Sequence, residues 1–222
     1  KDESIKPIIS SSSPDELALM NAAKYYGIKF VERNQYNELI IENDHHQQSQ
    51  LYKFELLNII EYNSERKRMT VIVKAPHGEI KVLCKGADSV LIPLLSDAWE
   101  NQEIKNQTME DIYDYAKDGY RTLVFCERTI SQSFYTSWVY KYEQARTAIN
   151  HKALKMANVV SEIERDFNLL GATAIEDKIQ DKAKDTILTI RDTGIKFWML
   201  TGDKIETAIN IGFSCNVLDQ GT

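Results

Sequence analysis

The chain has 222 residues, 43% of them hydrophobic and 27% charged, and a formal net charge of −6. That is ordinary globular composition, long enough for one large core or for one domain plus part of another. The acidic balance speaks against a nucleic-acid binder. No segment approaches the ~20 apolar residues of a membrane helix, and residues 1–13 lack an apolar signal-peptide core.

In chain order, Ser13-Pro14-Asp15-Glu16 combines an N-cap Ser, Pro at the first helical position and Glu three residues after the cap. Leu19, Ala22, Ala23 and Tyr26 then share one helical face, and Gly27 is a natural stop. Residues 28–33 and 38–42 read as strands, 44–50 as a polar loop holding His45 and His46, and 51–62 and 69–74 as further strands. Ala75-Pro76-His77-Gly78 is a turn into a strand over 79–85, which makes a hairpin. Helices are expected at 88–96 and 103–117, a strand at 121–128, and one or two amphipathic helices over 132–166 with a break near Asn150-His151. The last quarter alternates a strand at 169–175, a helix at 180–191, a strand at 196–200 and a helix at 204–212, the pattern of a parallel α/β sheet. A domain boundary is therefore expected near 168–175.

Each candidate motif also has a plain structural reading. Thr201-Gly202-Asp203-Lys204 follows a strand and opens a helix, where backbone N–H groups attract anions, but a ligand-free helix cap has the same form. Lys85-Gly86-Ala87-Asp88 places a Lys at a strand end, within reach of a phosphate, or is simply an Asp-capped helix start. Glu16 is explained by the capping box. Tyr62 at a strand end could stack on a purine or be a half-buried strand aromatic. Arg121 could bind phosphate bidentately or be a surface side chain. Arg66-Lys67-Arg68 is a basic cluster in an acidic chain and calls for a reason. The histidines supply no nucleophile–base–acid set, and neither G-x-x-x-x-G-K-[ST] nor G-x-G-x-x-G occurs. Cys84, Cys126 and Cys215 are odd in number and far apart, with no C-x-x-C pair, so they read as buried, reduced thiols of a cytosolic setting.

The order of these words carries more than any one of them. Ser-Pro-Asp-Glu (13–16), Tyr-Asn-Ser-Glu-Arg-Lys-Arg-Met (62–69), Lys-Gly-Ala-Asp (85–88), Gly-Tyr-Arg-Thr-Leu (119–123), Leu-Gly-Ala-Thr-Ala-Ile-Glu-Asp-Lys (170–178) and Met-Leu-Thr-Gly-Asp-Lys-Ile-Glu-Thr-Ala (199–208) resemble the ATP-binding region of P-type ATPases, within them the phospholipid flippases. The resemblance implies an antiparallel sheet flanked by helices, the nucleotide-binding domain, over residues 1–168. It implies a hinge and a partial, parallel, haloacid-dehalogenase-like phosphorylation domain over 169–222. It also implies an ATP site made of Glu16, Tyr62 (where the family usually has Phe), Lys67, Met69, Lys85 and Arg121. Thr201, Gly202 and Asp203 would meet the γ-phosphate, and Asp177 would be a hinge carboxylate.

The family's phosphorylated aspartate lies in an Asp-Lys-Thr-Gly word, and its magnesium-holding word is Gly-Asp-Gly-x-Asn-Asp; neither occurs in this chain. No catalytic residue and no metal ligand is therefore assigned. The resemblance implies a fragment that binds ATP without forming the phosphoenzyme. The full-length enzyme would hydrolyse ATP with Mg²⁺ and translocate phospholipid. It would be an integral membrane protein with this part on the cytosolic face, and an accessory subunit as partner. A stand-alone ATP-binding module and a phosphatase-like hydrolase are the competing readings.

Overall fold

The structure is a computed structural model that describes residues 13–44, 49–176, 179–202 and 205–218. His45 and His46 of the polar loop, Asp177, Lys178, Asp203 and Lys204 lie outside the described residues.

Seven strands form one sheet in chain order: β1 (Ile28–Arg33), β2 (Glu38–Asn43), β3 (Gln50–Ile60), β4 (Arg68–Lys74), β5 (Ile80–Gly86), β6 (Arg121–Ile130) and β7 (Asn168–Ile175). The pairs β1–β2, β2–β3, β3–β4 and β6–β7 are antiparallel. The helices are α1 (Pro14–Tyr25), α2 (Asp88–Leu91), α3 (Trp99–Lys117), α4 (Gln132–Thr147), α5 (Lys152–Ile163), α6 (Ala183–Asp192) and α7 (Ile205–Ser214). The chain clusters into two compact units.

The first unit takes Lys1–Glu61, Thr70–Leu83 and Arg128–Ile163. Helix α1 starts as its sequence dictates, with Ser13 extended at φ −126° and Pro14 in the first turn, although the Ser13 side chain makes no capping hydrogen bond. The hairpin turn closes through Ala75 N–H to Glu79 O at 2.8 Å. Strand β5 buries Ile80 and Val82 in alternation, whereas β4 buries the adjacent Ile72 and Val73 and is therefore covered on both faces there. The break expected near His151 separates α4 from α5, and His151 itself takes a positive φ of 54°. Trp138 of α4 is buried, stacks on Tyr142 at 4.9 Å, and donates its indole N–H to Val159 O of α5 at 2.8 Å. The largest apolar side chain of this unit thus has its one polar atom satisfied.

The second unit takes Tyr62–Met69, Cys84–Glu127 and Glu164–Thr222. Its core gathers Leu91, Ile112, Ala116, Val124, Cys126, Phe167 and Leu169. The helix expected over 88–96 stops at Leu91 and tightens into a 3₁₀ turn over Ile92–Leu94, because Pro93 has no N–H to continue the ladder. Tyr62 lies two residues past the end of β3 rather than in it. All three cysteines are free and buried.

Among the described residues the last quarter shows no parallel sheet. Strand β7 lies antiparallel to β6, with Arg121 opposite Ile175 and Glu127 opposite Asn168. Residues 196–200 carry no strand, and Trp198 and Leu200 are 78% and 93% exposed. A strand exists only through hydrogen bonds to a neighbour, and among the described residues this run has none to pair with.

Candidate functional site

A cavity of about 380 Å³ opens in the second unit, lined by Tyr62, Lys67, Ala87, Asp88, Ser89, Arg121, Thr122, Leu123, Gly202 and Thr207. Four of the residues expected from sequence to form a ligand site, Tyr62, Lys67, Arg121 and Gly202, therefore share one wall-to-wall space. Met69, Lys85 and Thr201 are not among its lining residues, Glu16 belongs to the first unit, and Asp203 is outside the described residues.

Three segments build this space. The first is the loop 62–67, which leads into β4. Arg66 N–H donates to Asn63 Oδ1 at 2.7 Å and Lys67 N–H to Asn63 O at 2.8 Å, so Asn63 folds the loop back on itself. Lys67 then takes φ 49°. Its carbonyl accepts from Ala87 N–H at 3.0 Å, joining the loop to the end of β5. That approach is possible only at a glycine: a Cβ on Gly86 would lie 2.5 Å from Lys67 O and 2.7 Å from Arg68 Cβ. The Lys-Gly-Ala-Asp word thus has a backbone reason for its Gly.

The second segment is the start of β6. Arg121, Thr122 and Leu123 are consecutive, and strand side chains alternate between faces. That all three line the cavity means it meets the strand at its end, not over one face. The third segment is α7. Asn210 Nδ2 donates to Lys117 O at 3.1 Å and Thr207 Oγ1 to Ala116 O at 3.5 Å, a carbonyl that also accepts from Gly119 N–H, so α7 docks on the C-terminus of α3. A Cβ at Gly119 (φ 87°) would come within 2.8 Å of Asn210 Oδ1, so this docking also needs a glycine.

Chemically the cavity offers one exposed aromatic face (Tyr62 is 61% exposed), two cations (Lys67 and Arg121), one carboxylate (Asp88) and three Ser or Thr residues (Ser89, Thr122 and Thr207). Such a set suits a planar ring joined to an anionic group. Among the described residues no group of three or more His, Cys, Asp and Glu could hold a metal ion. Outside the cavity the Cys126 thiol is pushed up in pKa by its hydrogen bond with Cys84 and by burial, which leaves it inert as a nucleophile at neutral pH.

Sequence reasoning did not single out Asp88, Thr207 and Glu164, although the first two fall inside the quoted words. Glu164 answers the question posed by the basic cluster. It is 1% exposed and accepts from Arg66 Nη2 on one oxygen and from Arg68 Nε, at 2.7 Å, on the other. The surplus of Arg around Lys67 was the available signal; the partner, about a hundred residues away, was not visible locally.

Residues 2–182 match the family model described as P-type ATPase, cytoplasmic domain N. The chain is 43% identical over 217 residues to the phospholipid-transporting ATPase DNF1 of Chaetomium thermophilum, covering 97% of this chain and 13% of that protein. It is 42% identical over 219 residues to the phospholipid-transporting ATPase DRS2 of Saccharomyces cerevisiae (99% and 16%). To the human phospholipid-transporting ATPase ID it is 40% identical over 208 residues (94% and 17%). The chain thus spans between 13% and 17% of the length of these relatives. No described helix is long and apolar enough to cross a membrane.

Proposed function

The chain belongs to the P-type ATPase cytoplasmic domain N family, and from that premise we propose that it is the ATP-holding part of a phospholipid-translocating ATPase. The observation that carries this reading is the convergence of Tyr62, Lys67 and Arg121 on one cavity. In it the Tyr62 ring stacks on adenine, a contact worth about 1–3 kcal/mol for a base on an aromatic. Lys67 and Arg121 offset phosphate charge in a protein that is acidic as a whole. Met69 and Lys85, on strands that lead into the same segments, complete the nucleotide site in this reading. Thr201, Gly202 and Asp203 meet the γ-phosphate.

Residues 1–168 serve as the nucleotide-binding domain and 169–222 as hinge and partial phosphorylation domain, whose parallel haloacid-dehalogenase-like sheet would need strands from further chain. The aspartate that accepts phosphate is not in the chain, which has no Asp-Lys-Thr-Gly word. The chain alone therefore binds ATP and does not turn it over. Mg²⁺ belongs to the whole enzyme in this reading, where it would accompany the phosphates of ATP. In the whole protein this part would work on the cytosolic face of a membrane, with phospholipid as transported substrate and an accessory subunit as partner.

The test is a chemical-shift titration of this chain with ATP, beside Tyr62→Ala and Lys67→Ala. Saturable binding in the mM-to-μM range (about −4 to −8 kcal/mol) that weakens at least severalfold in each variant is expected. Equal affinity in wild type and both variants would remove the cavity from the reading.

A further inference from the structure

Glu164 is a carboxylate whose side chain is 0% exposed, and it sits where α5 hands over to β7. A lone buried charge is costly, and here it is matched by two guanidinium groups, one on each oxygen. The two arginines come from one tripeptide, Arg66-Lys67-Arg68, at sequence separations of 98 and 96 from Glu164. Arg68 Nη1 also reaches the Arg66 carbonyl at 3.4 Å, tying the tripeptide's two ends together.

Holding residues 66 and 68 on one carboxylate fixes the backbone of the residue between them. Lys67 takes the left-handed φ of 49°, a conformation a non-glycine residue holds only when its surroundings impose it. Its carbonyl is bonded to Ala87, and Lys67 lines the cavity whereas Arg66 and Arg68 do not. A loop free of the Glu164 anchor would retain the Asn63 turn but lose the contact that sets the direction of Lys67.

We propose that Glu164 is a positioning residue for the nucleotide phosphates: through Arg66 and Arg68 it holds Lys67 in the cavity. The proposal rests on the ATP reading above. It explains why a tripeptide of three cations lies in an acidic chain, with two of the three committed to one buried acid and the third turned to the cavity.

The test is a double-mutant cycle on this chain, with ATP affinity read by chemical-shift titration and melting temperature recorded for each protein. Glu164→Gln and Lys67→Ala are each expected to weaken ATP by about tenfold, and the double variant by about tenfold as well, because Lys67 is already misplaced in the first. A Glu164 that acted on affinity by a route other than Lys67 would give independent losses, about a hundredfold together, and one that mattered only for stability would leave the affinity of the folded protein unchanged. That additive result, or unchanged affinity in a folded Glu164→Gln, overturns the proposal. Should Glu164→Gln not fold, Arg66→Met replaces it in the same cycle, since the Arg66 side chain is 20% exposed. No ATP binding by the wild type overturns the ATP reading together with the proposal, whereas binding with an additive cycle overturns the positioning role alone.

Discussion

Residues 169–175 and 196–200 are two short apolar runs in the second unit, and both have strand-like sequence. The first is β7: it pairs with β6 along its length and buries Leu169 to 4% exposure. The second pairs with nothing among the described residues and leaves Trp198 and Leu200 largely in solvent. The paired run carries Gly171, Ala172 and Ala174 and the unpaired one Phe197 and Trp198, so propensity would favour the second and does not explain the outcome. What separates them is a partner, because β structure draws its hydrogen bonds from another part of the chain, whereas a helix makes its own. The flanking helices α6 and α7 form on either side of the unpaired run for that reason.

This contrast can be broken by substitution. Leu169→Ala should cost about 3 kcal/mol in a denaturant titration, the usual loss for a buried Leu. Leu200→Ala should stay within about 0.5 kcal/mol, as for exposed sites. Equal losses would mean that 196–200 is buried in solution.

A second test sharpens the β6–β7 side through pH. The Cys126 thiol, on β6 opposite Leu169, is raised in pKa by its hydrogen bond with Cys84 and by burial. The unfolded thiol ionises near pH ~8.5 while the folded one stays protonated, so the unfolded state binds fewer protons above that pH. Its contribution to stability is thus fully present below pH ~8.5 and lost as pH rises, by up to about 1.4 kcal/mol per pH unit. Unfolding curves at pH 8 and pH 10 should show this decline, and Cys126→Ala should flatten it.

The smallest effect concerns a flaw within the paired strand. Thr173 Oγ1 of β7, opposite Leu123, is buried and has no hydrogen-bond partner among the described residues. Thr173→Val keeps the branched shape and removes that orphaned group, so it should raise stability by about 1 kcal/mol, visible as a higher melting temperature. A fall would show that the hydroxyl is satisfied in solution.

Much of the fold was legible because its signals were local. The Ser-Pro start of α1, the Ala75–Gly78 turn, the Asp118-Gly119 end of α3 and the break at His151 each depend on a few neighbouring residues, and the structure has all of them. Pro93 carried an equally local message that the expected 88–96 helix ignored. For the cavity, sequence pointed to Tyr62, Lys67, Arg121 and Gly202, which the fold brings together, and also to Met69, Lys85 and Thr201, which do not line it.

By itself the sequence determined the family, the helix ends that carry a local stop or start signal and the residue types that could meet a nucleotide, since these reside in short words and in periodicity. Only the tertiary structure decided that β7 joins the antiparallel sheet, that residues 196–200 stay unpaired, and that Arg66 and Arg68 belong to Glu164. Each of those outcomes is a choice of partner across many residues, and a partner's identity is written in no local pattern.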